Sequence, residues 1–247
     1  MKQKILLMLA LWLSLMGSLF AQTATVPTVG DGTEANPYQI ATWENLCWFS
    51  QIGPVSSNVY FIQTADIDLS TVTPAITTWD GGKGWKAITG WGGTYNGNGH
   101  VIKGLYVNRP DENYQGLFGH TSYGTQIINL GLIDVDITGK DYVGGLVGYT
   151  SSNINSCYCT GKVTGNNCVG GFMGFLSTSA DIRDNYTRCT VTGNSKVGGF
   201  VGDYAERHIY YCYSAGAVYG TSEVGGFAGS STNTLIIESI VFWDIEA

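Results

Sequence analysis

Charge is what this sequence has least of. Only 13% of its 247 residues are Asp, Glu, Lys or Arg, too few to lace long solvated helices. No second long apolar run follows the one at the N-terminus, so no membrane span is expected in the mature chain. There is no His-Glu-x-x-His, no phosphate loop and no Gly-x-Ser-x-Gly. The sequence marks of a zinc protease, a P-loop NTPase and an α/β-hydrolase are therefore missing. The three histidines, His100, His120 and His208, fall in unrelated contexts and read as turn or surface residues. No cofactor is expected.

The N-terminus reads as a signal peptide. Lys2 and Lys4 open it, Ile5 to Phe20 is mostly apolar, and Ala21 stands before the polar Gln22. Ser14, Gly17 and Ser18 break the apolar run. It is short for a span, although a membrane anchor is the other reading. No cysteine follows it, which argues against a lipid anchor. Removing residues 1–21 leaves 10 basic against 19 acidic residues, moving the formal charge from −7 to −9. An exported acidic chain is a poor partner for nucleic acid or an anionic membrane surface. The expected location is extracellular or the outer cell surface.

What the chain does have is glycine, 35 of them, and a motif built on it. Gly144-Gly145-Leu146-Val147-Gly148 returns at 170–174, 198–202 and 225–229, with a shorter copy at 116–119. The closing glycines, at 119, 148, 174, 202 and 229, are 29, 26, 28 and 27 residues apart. A period in this range marks stacked structural units. Further columns repeat with it. One is Ile128, Ile154, Ile182, Ile209 and Ile237; another is Leu132, Tyr158, Tyr186, Tyr213 and Val241. A third is Ile137, Val163, Val191 and Val218. Equivalent residues would lie about 4.8 Å apart, giving a parallel β-solenoid. About seven turns would stand roughly 30–35 Å tall. The glycines flanking the bulky box residue let backbone approach closely. Strand parity leaves open whether Leu146 or Val147 points inward.

The segments divide as 1–21 leader, 22–58 polar segment with a capping helix, 59–113 first turns and 114–247 repeats. The helix signal is Thr42 as cap, Asn45 three residues later, and Trp43, Leu46, Cys47 and Phe49 at helical spacing. Such a helix would cover the open end of the stack. Phe242 to Ala247 stops part-way through a repeat. Another domain or chain is expected to cover that end.

The box, followed by Ile154 to Tyr158 and Val163 to Gly165, and again by Ile209 to Tyr213, resembles the GLUG-motif repeat of exported bacterial proteins. Upstream, Ala65 to Leu69, Tyr95 to Leu105 and Gly116 to Gly119 resemble the segment that precedes such repeats. The likeness covers roughly residues 29–247. It implies an all-β, right-handed parallel β-helix. It also implies a surface protein, adhesin-like, or a non-catalytic region of an IgA-peptidase-type protease. It carries over no catalytic residue.

Function therefore has to come from outward side chains. Trp79, Trp85 and Trp91 with Tyr95 are the candidate platform for stacking a glycan, or else they pack a long loop onto the first turns. Asp66 with Asp68, and Asp134 with Asp136, each share a strand face roughly 6.5–7 Å apart. They are the candidates for calcium or for acid–base work, or are simply solvated. No lysine or arginine lines up beside either pair. Thr138, Thr164 and Thr192 form an outward ladder that ends at Tyr219. Asn185-Tyr186-Thr187 matches a glycosylation acceptor, but Tyr186 is placed in the core column. Cys157 and Cys212 lie two turns apart; Cys159 and Cys189 lie roughly 8 Å apart, out of column, beyond disulfide reach. Free thiols are expected. The reading favoured is a non-catalytic binding module for a glycan or an extracellular protein. The alternatives are a polysaccharide lyase or hydrolase using those aspartates, and a structural spacer.

Overall fold

The computed structural model describes residues 23–53, 58–177, 180–205, 209–231 and 237–238. The leader, His208, Val241 and Phe242 to Ala247 lie outside them. The chain is a parallel β-helix with a short N-terminal helix. Four parallel sheets form its sides. In the coil of the first full glycine box the strands are Asp141–Gly144, Val147–Thr150, Asn153–Asn155 and Tyr158–Thr164. We call the sheets these strands belong to sheets I, II, III and IV. Sheet III has eight strands and sheet II six, but sheet I only four. The coils are thus four-sided only where the box is complete.

The columns confirm the period. Ile154 pairs in register with Ile182, Ile182 with Ile209, and Ile209 with Ile237. Val163, Val191 and Val218 do the same. Inside, Phe172, Phe200 and Phe227 stack with ring centroids 4.8 and 4.9 Å apart. The strand spacing sets that distance, and offset stacking adds about 0.5–1.5 kcal/mol per pair beyond burial. Two columns need correction. Ile127, not Ile128, sits above Ile154. Leu132 pairs with Cys159, while Tyr158 pairs with Gly131. Tyr158, Tyr186 and Tyr213 therefore form an outward, half-buried ladder rather than a core column, with centroids 4.9 and 5.0 Å apart.

The glycine box has a steric explanation. A Cβ on Gly144 would collide with the Val147 carbonyl oxygen, and one on Gly145 with the Cys159 sulfur and the next coil's Gly171 carbonyl. One on Gly148 would meet the carbonyls of Tyr142 and Gly119. Sheets I and II thus fold against each other closer than any side chain permits. With the backbone pinched this way, Leu146 and Val147 are both fully buried.

The helix α1 (Trp43–Gln51) is capped as its sequence predicts: the Asn45 N–H donates to Thr42 Oγ1 at 3.3 Å. It plugs the N-terminal end of the core with Phe49. That ring lies 4.5 Å from Phe61, 5.3 Å from Tyr95 and 5.4 Å from Trp91. The irregular segment between the strands Ile67–Asp68 and Ile88–Trp91 is held by a residue the sequence did not single out. Arg109, with only 3% of its side chain exposed, meets Asp80 at 2.7 Å and Glu112 at 3.3 Å. Its Nε donates to the Trp85 carbonyl at 3.0 Å.

Cys159 and Cys189 also need correction. Their sulfurs are 3.5 Å apart, much nearer than out-of-column strands suggest. Register sets Gly161 opposite Cys189, and both cysteines are fully buried. The contact is a thiol pair, and all six cysteines are free.

Candidate functional site

The expected tryptophan platform is not on the surface. Trp79 and Trp85 are 1% exposed, and Trp91 and Tyr95 are fully buried. The Trp79 indole N–H donates to the Pro74 carbonyl, the Trp85 indole to the Leu117 carbonyl, and the Tyr95 hydroxyl to Gln63. A ring with no free face cannot stack a ligand, so these four residues are core. They fasten the long loop and the helix to the first coils.

Asp66, Asp68 and Asp136 reach solvent but are engaged. Asp66 accepts from the Val101 N–H and contacts His100 Nδ1, each at 3.0 Å. These contacts, the backbone one foremost, hold its carboxyl below the usual range. Asp68 is lowered chiefly by the Ser70 hydroxyl. Against the sequence expectation, lysines do stand beside the acids. Register places Lys103 opposite Asp68 and Lys162 opposite Asp136, at 4.0 and 3.9 Å. The even spacing expected of Asp134 and Asp136 is broken by a register shift, with Asp134 in the left-handed region. No three His, Cys, Asp or Glu residues gather as a metal site among the described residues. Asn185 is 1% exposed and donates to the Ile154 carbonyl, so a sugar could not be attached to it in the folded chain.

The surface aromatics lie elsewhere, on the rim where sheets I and II meet. Two columns run side by side there. The first is the residue after each closing glycine: His120, Tyr149 and Phe175, in register. Their rings stack with centroids 4.9 and 5.1 Å apart. The second is the residue two places before the first glycine of each box: Tyr114 and Tyr142, stacked at 5.0 Å. The two stacks meet nearly at right angles, with Tyr142 edge-on to Tyr149 at 72° and to Phe175 at 84°. The glycine box causes this. Because Gly148 lets sheet II close on the Tyr142 backbone, the two columns become neighbours.

Backbone strain marks the same place. Tyr114, Tyr142, Cys168, Lys196 and Glu223 all have φ between 52° and 60°, which costs an L-residue roughly 1–2 kcal/mol. At the other left-handed corner the chain uses Asn98, Asn129, Ser156, Asp184 and Tyr211, mostly types that tolerate it. At the rim the first two of these residues are tyrosines. The Tyr114, Tyr142 and Tyr149 hydroxyls have no hydrogen-bond partner among the described residues. In the later coils the rim changes character: Asp203 follows Phe175 in register and pairs with Lys196 at 2.7 Å. The sequence carried the signal at fixed offsets from the box, but alternation alone does not show that both offsets face outward together.

No family model matches the chain. Over 132 residues it is 36% identical to "Halomucin" of Haloquadratum walsbyi, covering 53% of this chain and 1% of that protein. Over 126 residues it is 35% identical to "Putative Gly-rich membrane protein" of Evansella cellulosilytica, covering 48% of this chain and 14% of that one. The chain thus spans a small part of both relatives, whose names are those of surface-type or membrane-type proteins. Its fold is similar to the crystal structure of a "putative immunoglobulin A1 protease" from Bacteroides ovatus. The TM-score is 0.66 at 25% identity, over 87% of this chain and 69% of that one. No helix among the described residues is long and apolar enough to cross a membrane.

Proposed function

We propose that this chain is an exported, surface-associated binding module, adhesin-like and of the GLUG-repeat kind, whose aromatic rim holds a glycan. One observation carries the reading: five aromatic rings form a two-column surface beside three phenol hydroxyls that bond nothing in the described protein. The rings stack on one another, so what they turn outward is their edges and the phenol hydroxyls, which can exchange hydrogen bonds with sugar hydroxyls. Export rests on the leader reading of residues 1–21, and surface association is supported by the names of the two relatives. The conformational strain at Tyr114 and Tyr142 supports a role for those side chains beyond folding.

Glycan-array binding by the chain without its leader tests this. The wild-type protein is expected to bind a defined set of glycans, and a Tyr142→Ala, Tyr149→Ala double variant to lose them. Equal binding by the variant would remove the rim from the account. Release of shortened oligosaccharides on incubation would instead favour the cleaving alternative built on Asp66, Asp68, Asp134 and Asp136.

A further inference from the structure

Sheet IV carries an outward face that the rim does not use. Its rows are Val101–Lys103 with Tyr106–Asn108, then Gly131–Thr138, Tyr158–Thr164 and Tyr186–Thr192, and last Tyr213–Ser214 with Val218–Tyr219. The middle row is seven residues long. Five rows about 4.8 Å apart, at about 3.3 Å per residue, make a face of roughly 24 by 23 Å. Half-buried Tyr158, Tyr186 and Tyr213 line one margin, and Thr164, Thr192 and Tyr219 stand exposed along the other.

Charge sets this face apart. Without its leader the chain has 10 basic against 19 acidic residues, so two copies repel over most of their surface. Here Lys103, Lys162 and Arg188 stand against Asp134 and Asp136. Lys162 meets Asp136 at 3.9 Å, and Lys103 meets Asp68, on the strand before, at 4.0 Å. Two exposed charges are left over, Asp134 and Arg188. Neither makes an ion pair among the described residues. The Arg188 guanidinium only overhangs the Tyr186 ring, 5.9 Å from its centroid.

The positions of these two are symmetric. A register shift sets Ile133 and Asp134 together opposite Thr160, and the Asp134 N–H donates to the Thr160 hydroxyl at 3.3 Å. On its other side Thr160 pairs with Arg188. Acid and base therefore flank the middle row, one coil before it and one coil after. A two-fold axis along that row, in the plane of the face, sets each copy's Asp134 against the other's Arg188, twice over. It also brings the two Lys162 side chains near the axis, each with its own Asp136 as counter-charge.

We infer that sheet IV is the docking surface for a second copy of this chain, in an antiparallel isologous dimer held by reciprocal Asp134–Arg188 pairs. The inference does not depend on what the rim binds. The face buries about 550 Å² per copy and about 1,100 Å² in all, the low end for specific interfaces. The dimer is therefore weak and concentration-dependent.

Sedimentation velocity of the leaderless chain, from about 1 to about 500 μM and at low and high salt, is the test. Mass should rise with concentration toward twice the monomer's, and high salt should weaken association. Arg188→Asp and Asp134→Arg should each weaken it at least about tenfold at an unchanged urea midpoint, since each turns two attractions into two repulsions. In an equimolar mixture of the two variants every pair is opposite in charge again. Association there should return to within about threefold of wild type. A wild-type chain that stays monomeric overturns the inference and leaves the face to a foreign partner. A dimer that neither substitution weakens overturns it too, as does a mixture that stays apart like its two components.

Discussion

A Cβ on Gly148 would stand 2.6 Å from the carbonyl oxygen of Tyr142. That one distance joins the repeat signature to the candidate site. The glycine lets two sheets close, and their closure sets Tyr142 edge-on to Tyr149. Gly148→Ala must push the sheets apart or strain both backbones, because the clash is with main chain and not with a flexible side chain. The expected cost is about 1–3 kcal/mol, read as a lower urea midpoint at unchanged slope. Thr164→Ala, on the exposed face one coil on, should stay within about 0.5 kcal/mol.

Tyr142→Gly separates binding from folding. It removes a stacked ring but also relieves a left-handed tyrosine, and these terms are of similar size and opposite sign. Unfolding free energy should move by less than about 1 kcal/mol, while glycan binding falls at least tenfold. A large loss of stability would show that the ring is there to hold the rim together.

Arg109 supplies a pH signature. Glu112 is held below the usual carboxylate range chiefly by Lys83, with Arg109 assisting, and Asp80 chiefly by Arg109. Their folded pKa values are depressed, so they stabilise above the unfolded values of about 4, and that stabilisation is lost as pH falls through the folded ones. Arg109→Met should lower stability at neutral pH by about 3 kcal/mol or somewhat less, since both carboxylates reach solvent. Its stability should also fall less steeply on acidification. Chemical denaturation at several pH values from neutral to acid measures both.

The thiols give a third chemical test. Burial pushes the thiols of Cys47, Cys157 and Cys212 up to about 12, so they are protonated and shielded at neutral pH. Native protein should react slowly with a thiol reagent. Unfolded without reductant, it should titrate all six cysteines. Four titrated thiols would mean that Cys159 and Cys189, already in contact, had joined.

Much of the fold could be read from spacing alone. Ile154, Ile182 and Ile209 stack because repeats of similar length must superpose like residues, whatever the strands do locally. What spacing could not supply was side-chain direction. Direction follows strict alternation only in unbroken strands, and left-handed residues such as Asn129, Asp134 and Ser156 stand within or beside the strands that carry these columns. That is why Tyr158 turned out to face solvent and Ile127 replaced Ile128. The same interruptions hid the rim, whose residues sit beside the breaks. Trp79, Trp85 and Trp91 misled in the opposite way. They lie in a long irregular segment that resembles a surface loop, yet Arg109 and Phe49 draw that segment into the core.

Two aromatic ladders face solvent, and the ligand belongs to only one. Residue-resolved hydroxyl-radical footprinting, with and without a saturating array-positive glycan, tests this directly. Oxidation should drop at Tyr114, Tyr142, Tyr149 and Phe175 and stay constant at Tyr158, Tyr186 and Tyr213. Protection of the second ladder with the rim unchanged would contradict the account.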